Sequence, residues 1–83
     1  MKYLSQGMES KKKVELLFNL TKITSYNIKQ AVYDHLVKNF SIGDAATLNS
    51  CQQSNLTHAI NALNKIAETV EKVNELNYMS KRI

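Results

Sequence analysis

The sequence contains no proline and only two glycines, Gly7 and Gly43. An all-β domain needs many tight turns, which depend on these residue types, so their scarcity argues against that class. Cys51 is the single cysteine, which excludes an internal disulfide and a cysteine-rich zinc site. The sequence does not begin with an apolar signal core, and no apolar run is long enough to span a bilayer. We therefore expect a cytoplasmic protein that does not enter a membrane.

The 83 residues include 43% apolar side chains and carry a formal net charge of +4. This length fits one domain with a modest core, and the basic excess is compatible with a nucleic-acid partner. Residues 1–9 show no clear period, so we expect a flexible N-terminus, a folded domain at residues 10–78 and a basic tail at residues 79–83. The positive charges concentrate near the two ends, at Lys2, Lys11, Lys12, Lys13, Lys81 and Arg82.

Apolar residues that recur every three or four positions predict an all-α bundle of four to five helices. The predicted helices cover residues 11 to about 20, 26 to about 39, and 42 to about 48, and the last begins between residues 51 and 54. Ser50 and Gln53 have the spacing of a capping box before that last helix. Hydroxyl side chains that can cap the first three helices precede each of them: Ser10, Thr24 or Ser25, and Ser41.

The last helical pattern is long, because it continues from Leu56 to Leu76. A continuous helix over residues 51–76 would extend roughly 40 Å at about 1.5 Å per residue, which exceeds what the other helices can cover. Either this helix breaks near Asn61 or Asn64, or its far half packs on another chain. An exposed apolar stripe is rarely tolerated by a soluble monomer. The predicted contacts of a homo-oligomer are Val70, Val73 and Leu76.

Residues 41–63 have the pattern of a helix-turn-helix motif, in which a short helix, a tight turn and a longer helix follow one another. Ala45 or Ala46 supplies the small residue where the helices cross, and Cys51 supplies the apolar residue that leaves the turn. Asn49 departs from the pattern, because a template places an apolar residue there. An ordinary helical hairpin with a polar outer face is the alternative. The side chains predicted to face the DNA groove are Gln52, Gln53, Ser54, Asn55, Thr57 and His58.

The basic residues predicted to contact phosphates are Lys11, Lys12, Lys13 and Lys38. The first three of these also fit a solvated helix end. His35 lies on an apolar helix face and is expected to be a packed, hydrogen-bonded core residue. Cys51 and His58 are close enough in sequence to face one side of a helix, but no acidic partner is evident, so burial of Cys51 in the turn is favoured. We predict no enzymatic activity, no cofactor and no metal site.

A set of apolar, serine and acidic positions recurs through the middle of the chain: Leu16, Leu17, Ile23, Ser25, Ile28, Ala31, Asp34, Leu36, Val37, Ser41, Leu56 and Leu63. In these residues the chain resembles the PapB family of fimbrial-operon transcriptional regulators without gaps from about residue 16 to residue 63. The resemblance implies a helical domain that oligomerises on A·T-rich regulatory DNA near adhesin genes. Two positions depart from it, because Ile42 stands where the family tends to have arginine and Ala46 where close relatives have cysteine. The alternative is a helical adaptor or antagonist that pairs with a related regulator and does not bind DNA.

Overall fold

The computed structural model describes the backbone of residues 3–82 and the side chains of residues 3–77. In this part of the chain there are four α-helices and no strand, which confirms the predicted all-α class. The last helix is much longer than the others, as its apolar pattern predicts. The helices are α1 (Lys11–Phe18), α2 (Tyr26–Leu36), α3 (Ile42–Leu48) and α4 (Gln53–Arg82).

Serine side chains fix the starts of the first three helices. The Ser10 hydroxyl accepts a hydrogen bond from Lys13 N at 3.1 Å. Ser25, and not Thr24, caps α2, and Ser41 caps α3. Each cap satisfies a backbone N–H that has no partner inside its helix, and replacing such a serine by alanine costs about 1 kcal/mol. These starts agree with the predicted ones because capping depends on neighbouring residues.

Two helices end earlier than their apolar patterns suggest. α1 stops at Phe18, whose carbonyl accepts a hydrogen bond from the Thr21 hydroxyl at 2.9 Å. α2 stops at Leu36, and the chain turns at Asn39, which has a φ of 70°. Phe40 N then donates to Asp34 O at 2.9 Å. The apolar pattern continues past both helix ends because loop residues also pack on the core.

The core lies where α2, α3 and α4 meet, and α1 covers it from the side of the later turns of α4. His35 is 8% exposed within this core. Its Nδ1 lies 2.8 Å from Phe40 O, and because a carbonyl oxygen only accepts, Nδ1 carries the proton and donates. This confirms the prediction of a packed, hydrogen-bonded histidine. The buried apolar side chains are Leu4, Val14, Leu17, Phe18, Ala31, Val32, Leu36, Ala45, Ala46, Leu56, Ala59, Ile60, Leu63 and Ala67.

Residues 3–9 form an N-terminal strap that packs across α2 and α4. The Leu4 side chain is only 2% exposed, and Gly7 N donates to His35 O at 3.1 Å. Glu9 N donates to Leu36 O at the same distance, so the strap satisfies carbonyls at the end of α2. The expected flexible N-terminus is therefore corrected for residues 3–9. The strap lacks a helical period because it pairs through backbone groups.

Gly7 is required by the geometry of this strap. Its φ is 70°, a conformation that costs glycine little and other residues more. A Cβ atom at this position would lie 2.6 Å from Asn39 Oδ1. A larger residue would have to move both the strap and the loop after α2.

α4 is continuous over its 30 residues, so of the two alternatives for this helix, the break near Asn61 or Asn64 does not occur. Asn64 remains helical and uses its side chain outside the helix, where Oδ1 accepts from Tyr3 N and Leu4 N at 2.9 and 2.8 Å. The helix also passes the boundary expected after residue 78. The side chains of the predicted basic tail, residues 79–83, lie outside the described residues.

The predicted capping box of Ser50 and Gln53 is also wrong. α4 begins at Gln53 itself, and Leu56 N donates to Gln52 O at 3.1 Å. Ser50 lies further back, in a left-handed conformation with a φ of 54°. The sequence has the spacing of a capping box, but Ser50 lies in the turn, where its backbone changes the direction of the chain, and it is not the residue next to the helix.

Candidate nucleic-acid interface

α3 and α4 are joined by a four-residue turn, residues 49–52. Ser50 reverses the chain direction, and Cys51 N then donates to Ala46 O at 3.0 Å. Asn49 N also donates back into α3, to Ala45 O at 3.2 Å. These bonds attach the turn to the last residues of α3, so the start of α4 has a fixed direction relative to α3.

Small side chains let the two helices of the motif approach each other. Ala45 and Ala46 are both buried, and Cys51 is half-buried and packs against the core. On the facing side, Leu56 and Ile60 are buried beneath the first two turns of α4. The predicted order of a short helix, a tight turn and a longer helix is therefore observed, with the predicted small and apolar residues between the helices.

Asn49 takes the position where a template has an apolar residue, and hydrogen bonds explain why it fits. Its Nδ2 donates to Asp34 Oδ2 at 2.7 Å and to Ala45 O at 2.8 Å. The preceding Leu48 is 64% exposed and does not replace it in the core. Asp34 is a functional candidate that sequence reasoning missed, because its partner lies 15 residues away and no local pattern connects them.

The six predicted groove-facing residues divide into two groups. Ser54, Asn55 and His58 are exposed and form what we call the outer face of α4; Gln52 is exposed just before the helix. Gln53 and Thr57 instead line a cleft of about 620 Å³ between α4, the start of α3 and the strap. Thr57 is half-buried there. Gln53 is itself exposed, and the outer face is therefore one exposed polar surface at the start of α4.

Three of the four predicted phosphate-contacting lysines have carboxylate partners. Lys13 Nζ lies 2.9 Å from Glu9 Oε1. Lys12 and Lys38 make longer contacts, at 3.9 Å to Glu15 and at 3.5 Å to Asp34. Lys11 Nζ instead lies 5.9 Å from the centre of the Tyr33 ring. The ammonium groups of Lys12, Lys13 and Lys38 are therefore already paired, at different distances, and differ in how readily they could bind a DNA phosphate.

The same lysines also lie in different places. Lys12 and Lys13 line a groove together with Val70 and Glu71, which is about 25 Å along α4 from Gln53 at about 1.5 Å per residue. Lys38 is attached to the turn through Asp34, which also holds Asn49. Within one chain, the structure brings Lys38 close to the helix-turn-helix motif and separates Lys12 and Lys13 from it.

Glu9 shows how firmly Lys13 is engaged. Burial raises the pKa of the Glu9 carboxyl, but the Ser5 N–H and the Lys13 ammonium outweigh that effect, and the pKa lies below its ordinary value of 4.5. Glu9 Oε2 accepts from Ser5 N at 2.8 Å. The ion pair therefore persists at neutral pH and joins the strap to α1.

Lys29 is a basic residue that the sequence analysis did not select. Its Nζ lies 5.6 Å from the centre of the Phe18 ring, and Phe18 packs edge-on against Tyr33 at 5.5 Å. Lys11 and Lys29 therefore lie on one aromatic pair, and neither has a carboxylate within ion-pair distance among the residues with described side chains. Spacing within α2 gives no sign of this, because the partner ring belongs to α1.

Cys51 and His58 do not share a helix face. Cys51 precedes α4, and His58 is exposed in the second turn of that helix. Among the residues that the structure describes, no cluster of three histidine, cysteine or acidic side chains has metal-binding geometry. The helices described over residues 3–82 also include none with the length and apolar character needed to cross a membrane.

Apolar side chains are exposed where α1 lies beside the later turns of α4. Val70 is half-buried, whereas Val73 and Leu76 are 49% and 66% exposed. Leu16 and Leu20 of α1 are also exposed, and sequence reasoning did not connect them with the stripe on α4. Of these side chains, Leu16, Leu20 and Val70 line the α1–α4 groove, whereas Val73 and Leu76 follow further along α4. The groove is a depression of about 440 Å³ whose apolar lining is Tyr3, Leu16, Leu17, Leu20, Ala67 and Val70.

No family model matches the sequence, and no curated protein sequence matches it. Among solved structures, the chain is similar to the crystal structure of FocB from E. coli, with a TM-score of 0.80 and 22% sequence identity. The similarity covers 88% of this chain and 83% of FocB. At this identity the comparison establishes the fold, that is, the arrangement of the helices over most of the chain.

Proposed function

We propose that this protein is a DNA-binding transcriptional regulator that acts in the cytoplasm and reads DNA with the start of α4. The observation that carries the proposal is the outer face of α4, where Ser54, Asn55 and His58 are exposed on a helix held rigidly by α3. Asparagine pairs with adenine edges in the major groove, and serine can donate to or accept from several bases. The fold is shared with FocB from E. coli, and the sequence resembles the PapB family of fimbrial-operon transcriptional regulators.

The distribution of charge separates the residues that would recognise bases from those that would bind phosphates. Residues 49–64 carry no formal charge, so the outer face offers hydrogen bonds and no attraction to phosphates. Affinity must then come from lysines outside this segment, chiefly Lys38 beside the turn. Because phosphate contacts release counterions, binding should weaken steeply as salt rises. One domain with few phosphate contacts binds weakly, which favours a regulator that works as an oligomer.

The α1–α4 groove supplies the surface for self-association. Leu16, Leu20 and Val70 line it, and the exposed Val73 and Leu76 continue the apolar stripe further along α4. Removing apolar surface from water stabilises a complex by about 25 cal/mol per Å² before the costs of association. A homo-oligomer would bring two outer faces to one DNA molecule, so their weak contacts would add. The resemblance to the PapB family further implies A·T-rich target DNA near adhesin genes.

The proposal is tested by titrating labelled duplexes of A·T-rich and G·C-rich sequence with the purified protein at several salt concentrations. We expect binding that weakens with salt and is tighter on the A·T-rich duplex. Asn55→Ala should reduce the preference, since a good base contact is worth about 1–3 kcal/mol. Asn74→Ala is the matched control, because Asn74 is an exposed asparagine near the other end of the same helix. An equal effect of both variants would contradict the assignment of the outer face.

A helical adaptor that pairs with a related regulator is the second candidate. The exposed apolar side chains of Leu16 and Leu20 in the groove and of Leu76 on α4 favour it, because an adaptor needs an apolar surface and no DNA contact. This candidate predicts that no duplex binds at micromolar protein and low salt. Glutamate substitutions in the groove would then abolish pairing with the related regulator, whereas substitutions on the outer face would leave that pairing unchanged.

A further inference from the structure

Asp34 is an acidic residue in the core-facing part of α2, and both of its carboxylate oxygens are engaged. The residue is 8% exposed. Oδ2 accepts from Asn49 Nδ2 at 2.7 Å, and Oδ1 lies 3.5 Å from Lys38 Nζ. One carboxylate therefore connects the first residue of the helix-turn-helix turn with the lysine beside that turn.

The contact with Asn49 fixes the turn. Nδ2 of Asn49 has two hydrogens, and the two acceptors, Asp34 Oδ2 and Ala45 O, use both. The amide plane is therefore held between α2 and α3. Because α4 starts a few residues later, loosening this amide would let the outer face change its direction relative to the rest of the domain.

The contact with Lys38 has a different consequence. The Lys38 side chain is 65% exposed, so its ammonium can leave the carboxylate and reach an external anion. A DNA phosphate at the turn would compete with Asp34 for that ammonium. The contact is long, at 3.5 Å, and its lysine is solvated, so DNA could displace it at a modest cost.

We propose that Asp34 is a positioning residue for DNA binding whose two oxygens have opposite effects. Through Asn49 it holds the turn in the conformation that presents the outer face, and through its charge it holds Lys38 back from phosphate. This inference rests on the proposed function. It assigns to one buried carboxylate both the geometry of the reading helix and a limit on non-specific affinity.

Two substitutions at this position separate the two effects. Asp34→Asn keeps an oxygen that can accept from Asn49 but removes the charge, so DNA should bind about threefold to fivefold more tightly at low salt, the range of one exposed ion pair. The salt dependence should become steeper, by up to about 0.9 in the slope of log affinity against log salt for one added phosphate contact. Asp34→Ala removes both contacts, and binding should become weaker than in the wild type.

The experiment measures fluorescence anisotropy of a labelled A·T-rich duplex at four salt concentrations, with the fold of each variant checked by circular dichroism. Glu15→Gln is the matched control, because it removes the same charge from a carboxylate that contacts Lys12 on α1. In the double variant Asp34→Asn with Lys38→Ala, the gain should disappear. A gain of equal size in Glu15→Gln, or a gain that persists without Lys38, would overturn the inference.

Two further variants keep the inference testable if substitutions of Asp34 do not fold. Asn49→Ala should weaken binding without changing the salt slope, and Lys38→Ala should lower the slope. The opposite assignment of these effects would contradict the inference. A wild-type protein that binds no duplex at low salt refutes the proposed function and this inference together. Wild-type binding with no gain in Asp34→Asn refutes the inference alone.

Discussion

Asn64→Ala tests how the N-terminal strap is held. The substitution removes the oxygen that accepts from Tyr3 N and Leu4 N at 2.9 and 2.8 Å. Each such hydrogen bond contributes about 1 kcal/mol net, so about 2 kcal/mol is lost. Alanine is the better helix former by about 0.6 kcal/mol, which offsets part of that loss. The expected net destabilisation is therefore about 1–2 kcal/mol, a decrease in Tm of roughly 4–16 °C for a domain of this size.

Asn61→Ala is the matched control for this prediction. Asn61 lies one turn earlier on α4, is exposed, and makes no side-chain hydrogen bond to another residue of the described part of the chain. Its replacement should leave Tm unchanged or raise it slightly through helix propensity. Thermal unfolding followed by circular dichroism gives both values, and hydrogen exchange at the Tyr3 and Leu4 amides reports the strap directly. If the two variants unfold at the same temperature, with Tyr3 and Leu4 still protected, the assigned role of Asn64 is wrong.

Further predictions concern self-association, acid sensitivity and the α1 lysines. Val73→Glu with Leu76→Glu should give a helical monomer by analytical ultracentrifugation at tens of micromolar, whereas a wild-type protein that is itself monomeric would contradict the groove assignment. The pKa of Glu9 is lowered in the folded state, so its stabilising effect is present above the ordinary carboxyl pKa and is lost as the pH falls through the lowered value. Urea unfolding of Glu9→Gln should therefore depend less on pH below about 5 than that of the wild type, and equal slopes would count against the ion pair. Replacing Lys12 and Lys13 by alanine should reduce the salt dependence of DNA binding less than Lys38→Ala does, as measured by anisotropy; the reverse order would place the phosphates along α1.

The starts of the first three helices could be predicted from the sequence because each depends on one nearby serine. Ser10, Ser25 and Ser41 cap helices whose first turns follow directly, so the signal and its effect lie within four residues. The recurrence of apolar residues every three or four positions likewise predicts which faces of α2 and α4 are buried. These features are local, and the physics that produces them acts over one or two helical turns.

The contacts that hold the candidate site were not predictable in the same way. Asn64 appears as a helix breaker in the sequence, but its side chain binds the strap about 60 residues away. Asn49 appears as an exception in the turn until Asp34 is placed beside it. Both asparagines stand where the sequence pattern disfavours a polar residue, and both are stabilised there by hydrogen bonds to residues distant in the sequence. No pattern in a single sequence connects such partners, because their proximity is created by the fold itself.

The positions of the lysines show the same limit. Composition identifies a basic start of α1, and a charge count treats those side chains as one surface. In the structure Lys13 is engaged by Glu9 and lies with Lys12 along the later turns of α4, whereas Lys38 lies at the turn. Helix packing and nearby carboxylates decide which lysine can contact DNA bound at the outer face. Neither can be read from the positions of the charged residues in the sequence.

We expect DNA to bind the outer face at the start of α4. The most direct measurement is a nuclear magnetic resonance titration of the ¹⁵N-labelled protein with an unlabelled A·T-rich duplex. The largest chemical-shift changes should fall on the amides of Ser54, Asn55 and His58, with smaller changes at Lys38. Changes confined to Leu16, Leu20 and the later turns of α4, or no changes at low salt, would contradict it.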